Sequence, residues 1–326
     1  MDWSDYEVDG QLSIFDCNKK EETNHRIKVL SLFDGISCGM VALKRAGIQV
    51  EKYYASEIEK HAEAVSMFHF PEVIRLGDVN NYEEWELPQI DLLIGGSPCQ
   101  DLSIAKANRE GLDGERSGLF WRYVQCLEKF KPQYFLLENN NSMPKEAKDT
   151  ITKILGVEPI MINSALVSGQ LRKRLYWTNI PGIELPNDKG ISLKDVILSG
   201  EVDRDKALCL TRRYAGFNGS QDYFRHRYFG KSFGQAIFEG QATPEEHKQA
   251  YKKYGKYSGV EVDGTIRQMS HIECERLQTL PDDYTKYELI GNEVKETPKN
   301  ARYEMIGNGW TVDVIAHILK GLKQEN

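Results

Sequence analysis

The stretch Ile90-Asp91-Leu92-Leu93-Ile94-Gly95-Gly96-Ser97-Pro98-Cys99-Gln100 constrains the chain more than any other. Ile90 to Ile94 is a short apolar run of the kind that fills a buried strand. Gly95, Gly96 and Pro98 then break regular structure and carry the backbone into a loop. Cys99 therefore follows the carboxyl end of a strand, where open α/β sheets place ligands and reactive groups. A thiol there is a nucleophile where a cation or a helix N-terminus favours the thiolate, and otherwise a small residue in a tight turn.

Other strands end in the same way. Ile27 to Phe33 reads as the first buried strand, passes through Asp34-Gly35-Ile36-Ser37-Cys38-Gly39 and enters a helical pattern that stops at Gly47. The loop has the form of a nucleotide site but lacks the three-glycine pyrophosphate spacing, which suits a ligand without phosphates. Lys52 to Ser56 forms a second strand that finishes at Glu57, where an acid can accept hydrogen bonds from a ribose diol. A helix from Ile58 to Phe68 and a strand around Val73 to Leu76 lead to Gly77-Asp78-Val79. One strand-end acid is usually a helix cap. Asp34, Glu57 and Asp78 in succession form a binding edge for adenosine and a cationic group.

Beyond Cys99, the polar stretch Ser103 to Ser117 reads as a lid over the site or as an ordinary surface loop. A helix from Gly118 to Phe130 precedes the strand Tyr134 to Leu137, which ends at Glu138-Asn139-Asn140. A helix near Lys145 to Leu155 and a strand near Pro159 to Leu166 follow. In Gln170-Leu171-Arg172-Lys173-Arg174 the alternating arginines point to one side of an extended segment, either a site or a solvated basic face.

The 326 residues suffice for one large domain or two unequal ones. With 40% hydrophobic and 28% charged residues the composition is that of an ordinary soluble protein. No apolar run approaches a membrane span, and the N-terminus lacks the order of a signal peptide. Six scattered cysteines show neither metal-ligand spacing nor a disulfide framework, which points to a reducing cytoplasm without structural zinc. A net charge of -7 means that any nucleic-acid site is a local basic patch. Residues 183 to about 265 carry such a patch, with Arg212, Arg213, Arg225, Arg227 and Lys231 interleaved with Tyr214, Phe217, Tyr223, Phe224, Tyr228 and Phe229. Basic residues among aromatics suit phosphate contact and base stacking.

Residues 1–25 read as a polar arm containing Gln11-Leu12-Ser13-Ile14-Phe15. The preferred reading is an arm folded back on the catalytic domain. The alternative is a partner motif, since Gln11, Leu12 and Phe15 resemble the peptide by which bacterial DNA-processing proteins dock onto a sliding clamp.

Taken together, Asp34-Gly35, Pro98-Cys99-Gln100, Glu138-Asn139, Gln170-x-Arg172-x-Arg174, Arg276-Leu277-Gln278 and Gly307-Asn308 resemble the DNA (cytosine-5)-methyltransferases, in the family's order. Details around Phe33 to Ile36 and Gly309 to Val312 are similar to phage and bacterial members and to the animal de novo enzymes. The resemblance implies an α/β fold: the S-adenosylmethionine-dependent, Rossmann-like mixed sheet with helices on both faces, plus a smaller target-recognition domain. It divides the chain into an arm (1–25), a cofactor-binding catalytic domain (26–182), a target-recognition domain (183–265) and a C-terminal segment returning to the catalytic domain (266–326).

By the same resemblance, S-adenosylmethionine is the cofactor and no metal is involved. Phe33, Asp34, Gly35, Cys38, Glu57 and Ile58 line its pocket, with Asp78, Val79, Leu119, Asn308 and Trp310. Cys99 attacks carbon 6 of a flipped cytosine, Glu138 contacts N3 and the amine, Arg174 binds O2, and Arg172 helps hold the catalytic loop or backbone. Gln100, Ser103, Gln170, Arg225, Arg227 and Lys231 are expected at double-stranded DNA. The chain departs from the family at Asn140, usually valine, and at Leu171, often arginine. Three other readings compete. A tRNA cytosine substrate is disfavoured by the missing Cys-Phe-Thr tripeptide, a silent DNA-binding relative by the intact Cys99, Glu138 and Arg174, and a nicotinamide enzyme by the missing glycine fingerprint.

Overall fold

The computed structural model describes residues 26–97, 118–212, 220–231, 234–256 and 261–323. The first elements are β1 (Ile27–Leu32), α1 (Cys38–Ala46), β2 (Val50–Ser56), α2 (Lys60–His69) and β3 (Ile74–Arg75). There follow β4 (Leu92–Gly96), α3 (Gly118–Phe130), β5 (Tyr134–Asn140), α4 (Lys145–Leu155), β6 (Ile160–Asn163) and β7 (Lys173–Thr178). They form one seven-stranded sheet in the order β3-β2-β1-β4-β5-β7-β6. Strands β1 to β5 pair in parallel and β7 runs antiparallel to β5. The sheet is mixed and flanked by helices, as the fold-class expectation has it.

Val29 to Leu32 and Leu92 to Ile94 are buried at every position, so both faces of these strands are covered. This is why the sequence shows continuous apolar runs rather than alternation. On one face, Leu30, Leu32, Leu93, Leu137, Leu175 and Trp177 pack with Phe120, Tyr123 and Val124 of α3 and Ala147, Ile151 and Leu155 of α4. Gly95 permits the approach of α3, because a Cβ there would lie 3.1 Å from the Leu32 carbonyl oxygen and 3.1 Å from the Tyr123 ring.

The later elements are α5 (Gln221–Lys231), β8 (Ile237–Gly240), α6 (Pro244–Tyr254), β9 (Gly264–Arg267) and α7 (His271–Leu277). Last come β10 (Tyr287–Ile290), β11 (Glu293–Glu296), α8 (Lys299–Asn308) and α9 (Val312–Leu319). The chain divides into two compact units. Of the described residues, those up to Ile162, Lys173–Leu185 and those from Val312 make up the sheet unit; Asn163–Arg172 and those within Pro186–Thr311 make up the second. These boundaries differ from divisions at residues 182 and 265. The chain first enters the second unit at Asn163, where Ser168 and Gln170 bond to the Leu277 carbonyl; it returns to the sheet unit for Lys173–Leu185 and leaves the second unit for the last time at Thr311. In the sheet unit α9 packs on α1, and Arg45 pairs with Asp313 at 2.8 Å.

The second unit has its own core, in which Leu193, Val196, Leu210, Ile237, Met269, Leu277 and Ile306 pack together. A further cluster joins Phe224, Tyr228, Phe238 and Ile266. Capping boxes start α6 at Thr243/Glu246 and α7 at Ser270/Glu273.

Gly95→Ala is expected to destabilise the protein by about 1–3 kcal/mol, because the added methyl meets backbone as well as the Tyr123 ring. Urea denaturation read by tryptophan fluorescence measures this; an unchanged midpoint would show that the sheet and α3 yield freely.

Candidate active site

The loop from β1 to α1 is wound tightly. Phe33 (φ 57), Gly35 (φ 60) and Ser37 (φ 57) all adopt the left-handed conformation. For two non-glycine residues this is stored strain that surrounding contacts have to hold. Asp34 supplies them: its carboxylate accepts from Ser31 Oγ at 2.6 Å, Tyr53 OH at 2.7 Å and Ser37 Oγ. Burial pushes the Asp34 carboxyl above its ordinary value, and the three hydroxyls work against that rise. Asp34 is thus the knot of the loop.

Glu57 lies just past β2. Its Oε2 accepts the Gly35 N–H at 2.7 Å and its Oε1 accepts the N–H groups of Ile58 and Glu59, each at 2.8 Å. Burial raises its pKa and these backbone bonds oppose the shift. Ile58 beside it is 67% exposed, an apolar surface next to a fixed carboxylate. Phe33 and Leu119 pack against the core cluster that contains Val79. Asp78 caps the short 3-10 turn Val79–Glu84. Cys38 is buried in the first turn of α1.

A second cluster stands where β4, β5 and β7 end or begin. Glu138 is in register with Gly96 of β4 on one side and Tyr176 of β7 on the other. Arg174, opposite Asn140, shares its face, and Arg174 Nε meets Glu138 Oε1 at 2.9 Å. Their side chains retain 16% and 12% exposure, so the pair is held largely out of water. Asn139 faces the other way and donates to Ser97 Oγ at 3.0 Å, gripping the chain two residues before Cys99. Sequence reasoning did not single out that grip, and only the adjacency of Asn139 to Glu138 signalled it. Cys99, Gln100, Ser103 and the Ser103–Ser117 stretch lie outside the described residues, as do Gln11, Leu12 and Phe15.

In the second unit the expected site residues have other work. Gln170 is entirely buried; its amide Nε2 donates to the Leu277 carbonyl at 2.6 Å and to Gln278 Oε1 at 2.9 Å. Its expected contact with DNA is therefore corrected: the amide is consumed inside the protein. Arg172 donates to the carbonyls of Leu210 at 2.9 Å and Gly309 at 2.9 Å, so it braces backbone. The expectation that Arg172 and Arg174 share one surface does not hold, since β7 begins only at Lys173 and the two guanidinium groups serve different partners. Gln278 extends the network to the carbonyls of Ile306 and Gly309 and to Thr311 Oγ1. Asn308 is exposed at the end of α8 and Trp310 is half-buried.

Arg225 also departs from expectation. It is 4% exposed, pairs with Asp222 at 3.1 Å and donates to the Gly264 carbonyl, so it is a core residue rather than a phosphate contact. Arg227 lies half-buried with its guanidinium 5.9 Å from the Tyr223 ring centre. The Lys231 side chain is outside the described residues. Among the described residues no cluster of His, Cys, Asp or Glu is arranged to hold a metal ion, and no helix is long and apolar enough to cross a membrane.

This strand order, with ligand-type loops at the ends of parallel strands, defines the S-adenosylmethionine-dependent methyltransferase class. Known proteins agree. Residues 27–157 and 194–324 match the family model of the C-5 cytosine-specific DNA methylases, and the chain belongs to that family. It is 30% identical over 191 residues to the orphan methyltransferase M.Rho11sI of Bacillus phage rho11s, an alignment covering 54% of this chain and 38% of that one. The chain spans about two fifths of that phage relative, and 43% of M.SPRI from Bacillus phage SPR. Type II methyltransferase M.FnuDI of Fusobacterium nucleatum is 28% identical over 91% of this chain and 94% of its own.

The fold matches solved structures. A DNMT2 mutant from Spodoptera frugiperda gives a TM-score of 0.63 at 18% identity, covering 91% of this chain and all (100%) of that one. A putative DNA modification methyltransferase encoded within an E. coli prophage gives 0.57 at 18% identity, covering 91% and 98%. The family's methyl donor is S-adenosylmethionine, and the residues fit it. Glu57 is a fixed acceptor for a diol and Ile58 an exposed apolar face. Gly35 leaves open space where a Cβ would stand, so a ligand can approach its backbone.

Arg174→Met should cost about 1.5–3 kcal/mol by leaving the Glu138 carboxylate without its cationic partner. A further Glu138→Gln change should recover part of that loss, as read by urea denaturation. Full stability in the single variant would mean that the ion pair contributes nothing to the fold.

Proposed function

We propose that the chain transfers a methyl group from S-adenosylmethionine to carbon 5 of cytosine in duplex DNA, with Cys99 as the covalent nucleophile. The observation that carries this reading is the Glu138–Arg174 pair in register with Gly96, three residues before Cys99. When bound, the cofactor supplies a methyl group activated by its sulfonium.

Carbon 5 of cytosine is a poor nucleophile, so the base has to be activated. The Cys99 thiolate bonds to carbon 6, and the displaced electron pair makes carbon 5 nucleophilic. Glu138 holds N3 and the exocyclic amine and shares the proton that stabilises the adduct. Arg174 neutralises charge at O2 while fixing the Glu138 carboxylate. Methylation of carbon 5 would leave the donor as its neutral thioether; a water molecule then takes the carbon 5 proton, and that electron pair re-forms the C5–C6 double bond as the bond to Cys99 breaks and the thiolate is restored. The base has to leave the duplex stack, at a cost of a few kcal/mol.

Arg172 serves this scheme as a brace. Gln100, Ser103, Arg227 and Lys231 supply DNA contacts, in the cytoplasm of a bacterial or phage-infected cell. Residues 183–265 supply the target-recognition part. A sliding-clamp contact through Gln11, Leu12 and Phe15 is a secondary proposal, checked by whether Gln11→Ala with Phe15→Ala abolishes clamp binding.

Bisulfite conversion of mixed-sequence genomic DNA treated with the protein and cofactor is expected to show protected cytosines. Methylation of tRNA with DNA untouched would overturn the substrate. Cys99→Ala should abolish turnover and keep DNA binding; product from that variant would refute the covalent scheme. Ribose binding needs ionised Glu57, so cofactor affinity should fall as pH drops through a midpoint above the ordinary 4.5. Glu57→Gln should remove that pH dependence, as titration calorimetry would show.

A further inference from the structure

Asp78 stands at the end of β3, beyond Gly77, and its carboxylate is unevenly used. Oδ1 accepts both the Asn80 backbone N–H at 2.9 Å and Asn80 Nδ2 at 3.0 Å. Those two bonds fill the lone pairs of Oδ1, which leaves Oδ2 as the oxygen open to a ligand donor. Among the described residues no donor meets Oδ2.

The Asn80 amide is polarised from its far side. Arg122 Nε, on α3, donates to Asn80 Oδ1 at 2.9 Å. A guanidinium only donates, so Oδ1 has to face Arg122 and Nδ2 has to face Asp78. Arg122 is itself fixed: Nη1 donates to Gln125 Oε1 at 2.8 Å, and the group lies 5.9 Å from the ring centre of the buried Tyr82. Asn80 is exposed and, without Arg122, could rotate freely.

The sheet order assigns the ligand. Outward from the β1 loop the strands run β1, β2, β3. Glu57 at the end of β2 suits the ribose diol, so the base lies one strand further out, at Asp78. The donor that adenine offers is its exocyclic amine.

We propose that Arg122 and Asn80 form a positioning relay that aims the Asp78 carboxylate at the adenine amine, and so set a preference for adenine over hypoxanthine. The proposal rests on the S-adenosylmethionine reading of the site. Hypoxanthine carries a carbonyl oxygen in place of that amine, and a fixed carboxylate repels it. A site built to hold a donor discriminates strongly against a ligand lacking it.

Titration calorimetry of the full chain with S-adenosylhomocysteine and with S-inosylhomocysteine tests the relay. The unaltered protein should prefer the adenine ligand by roughly tenfold or more. Arg122→Met should shrink that preference at least about threefold, by weakening the adenine ligand while the hypoxanthine ligand binds no more weakly than before. Arg122→Lys, whose ammonium can reach Asn80 Oδ1, should restore part of it. Asn80→Ala, at an exposed position that keeps the backbone cap, should reproduce Arg122→Met and serves if the latter fails to fold. Equal weakening of both ligands would reduce the relay to a structural tie and overturn the proposal. So would no change in either ligand, or an unaltered protein with no preference. An unaltered protein that binds neither ligand would refute the cofactor reading itself.

Discussion

The parallel register of β1 with its two neighbours is the constraint on which the sheet unit depends. Leu32 lies opposite Ser56 of β2 and Gly95 of β4, and Gly96 lies opposite Glu138 of β5. The loops that follow therefore emerge at one edge, and Asp34, Glu57 and the Cys99 segment start from the same level. A slip of one residue would exchange the two faces of a strand. In β5 it would turn Glu138 into the apolar cluster that holds Leu137, and would take Asn139 away from Ser97. Arg174 would then lose its partner as well.

Polar side chains at this edge are held by the protein before any ligand arrives. Asp34 is satisfied by hydroxyls and Glu57 by backbone N–H groups, and in both burial still lifts the pKa. The β1–α1 loop that carries Asp34 contains two non-glycine residues with positive φ, Phe33 and Ser37. Strain of that kind costs of order 1–3 kcal/mol per residue and persists only where neighbours over-determine it. Here the Asp34 hydroxyl cage and the Gly35-to-Glu57 bond do so. The edge is thus shaped in advance, which lowers the ordering cost of binding.

Much of this was legible in the sequence, because buried parallel strands leave continuous apolar runs and their ends are marked by Gly and acid. Ile27 to Leu32, Leu92 to Gly96 and Tyr134 to Asn140 are strands close to the expected bounds. Glu138 and Arg174 are brought together as a pair. What stayed hidden concerns where polar side chains point. Gln170 and Arg225 look like surface contacts in a basic segment, yet each is buried, with the Gln170 amide on the Leu277 carbonyl and the Arg225 Nη groups on Asp222 and the Gly264 carbonyl. Residue type gives hydrogen-bonding capacity but not the partner, and the partners of Gln170 and Arg172 lie more than a hundred residues ahead as well as nearby. Ser97 and Asn139 show the converse, since small polar residues in a motif gain their role only from the register that faces them.

Arg172 and Arg174 are two residues apart and do opposite things. Arg172 is spent on carbonyls of the Leu210 and Gly307–Gly309 backbone, a use that a lysine could not reproduce because it draws on the planar fork of donors. Arg174 is spent on a carboxylate. The chain passes from one compact unit to the other between Arg172 and Lys173, so a motif contiguous in sequence is divided in structure. Neither arginine is then a simple surface charge, and of the basic residues in this segment only Lys173 is exposed. The arginines give this segment its resemblance to a nucleic-acid motif, while the structure uses them to hold backbone and acid in place.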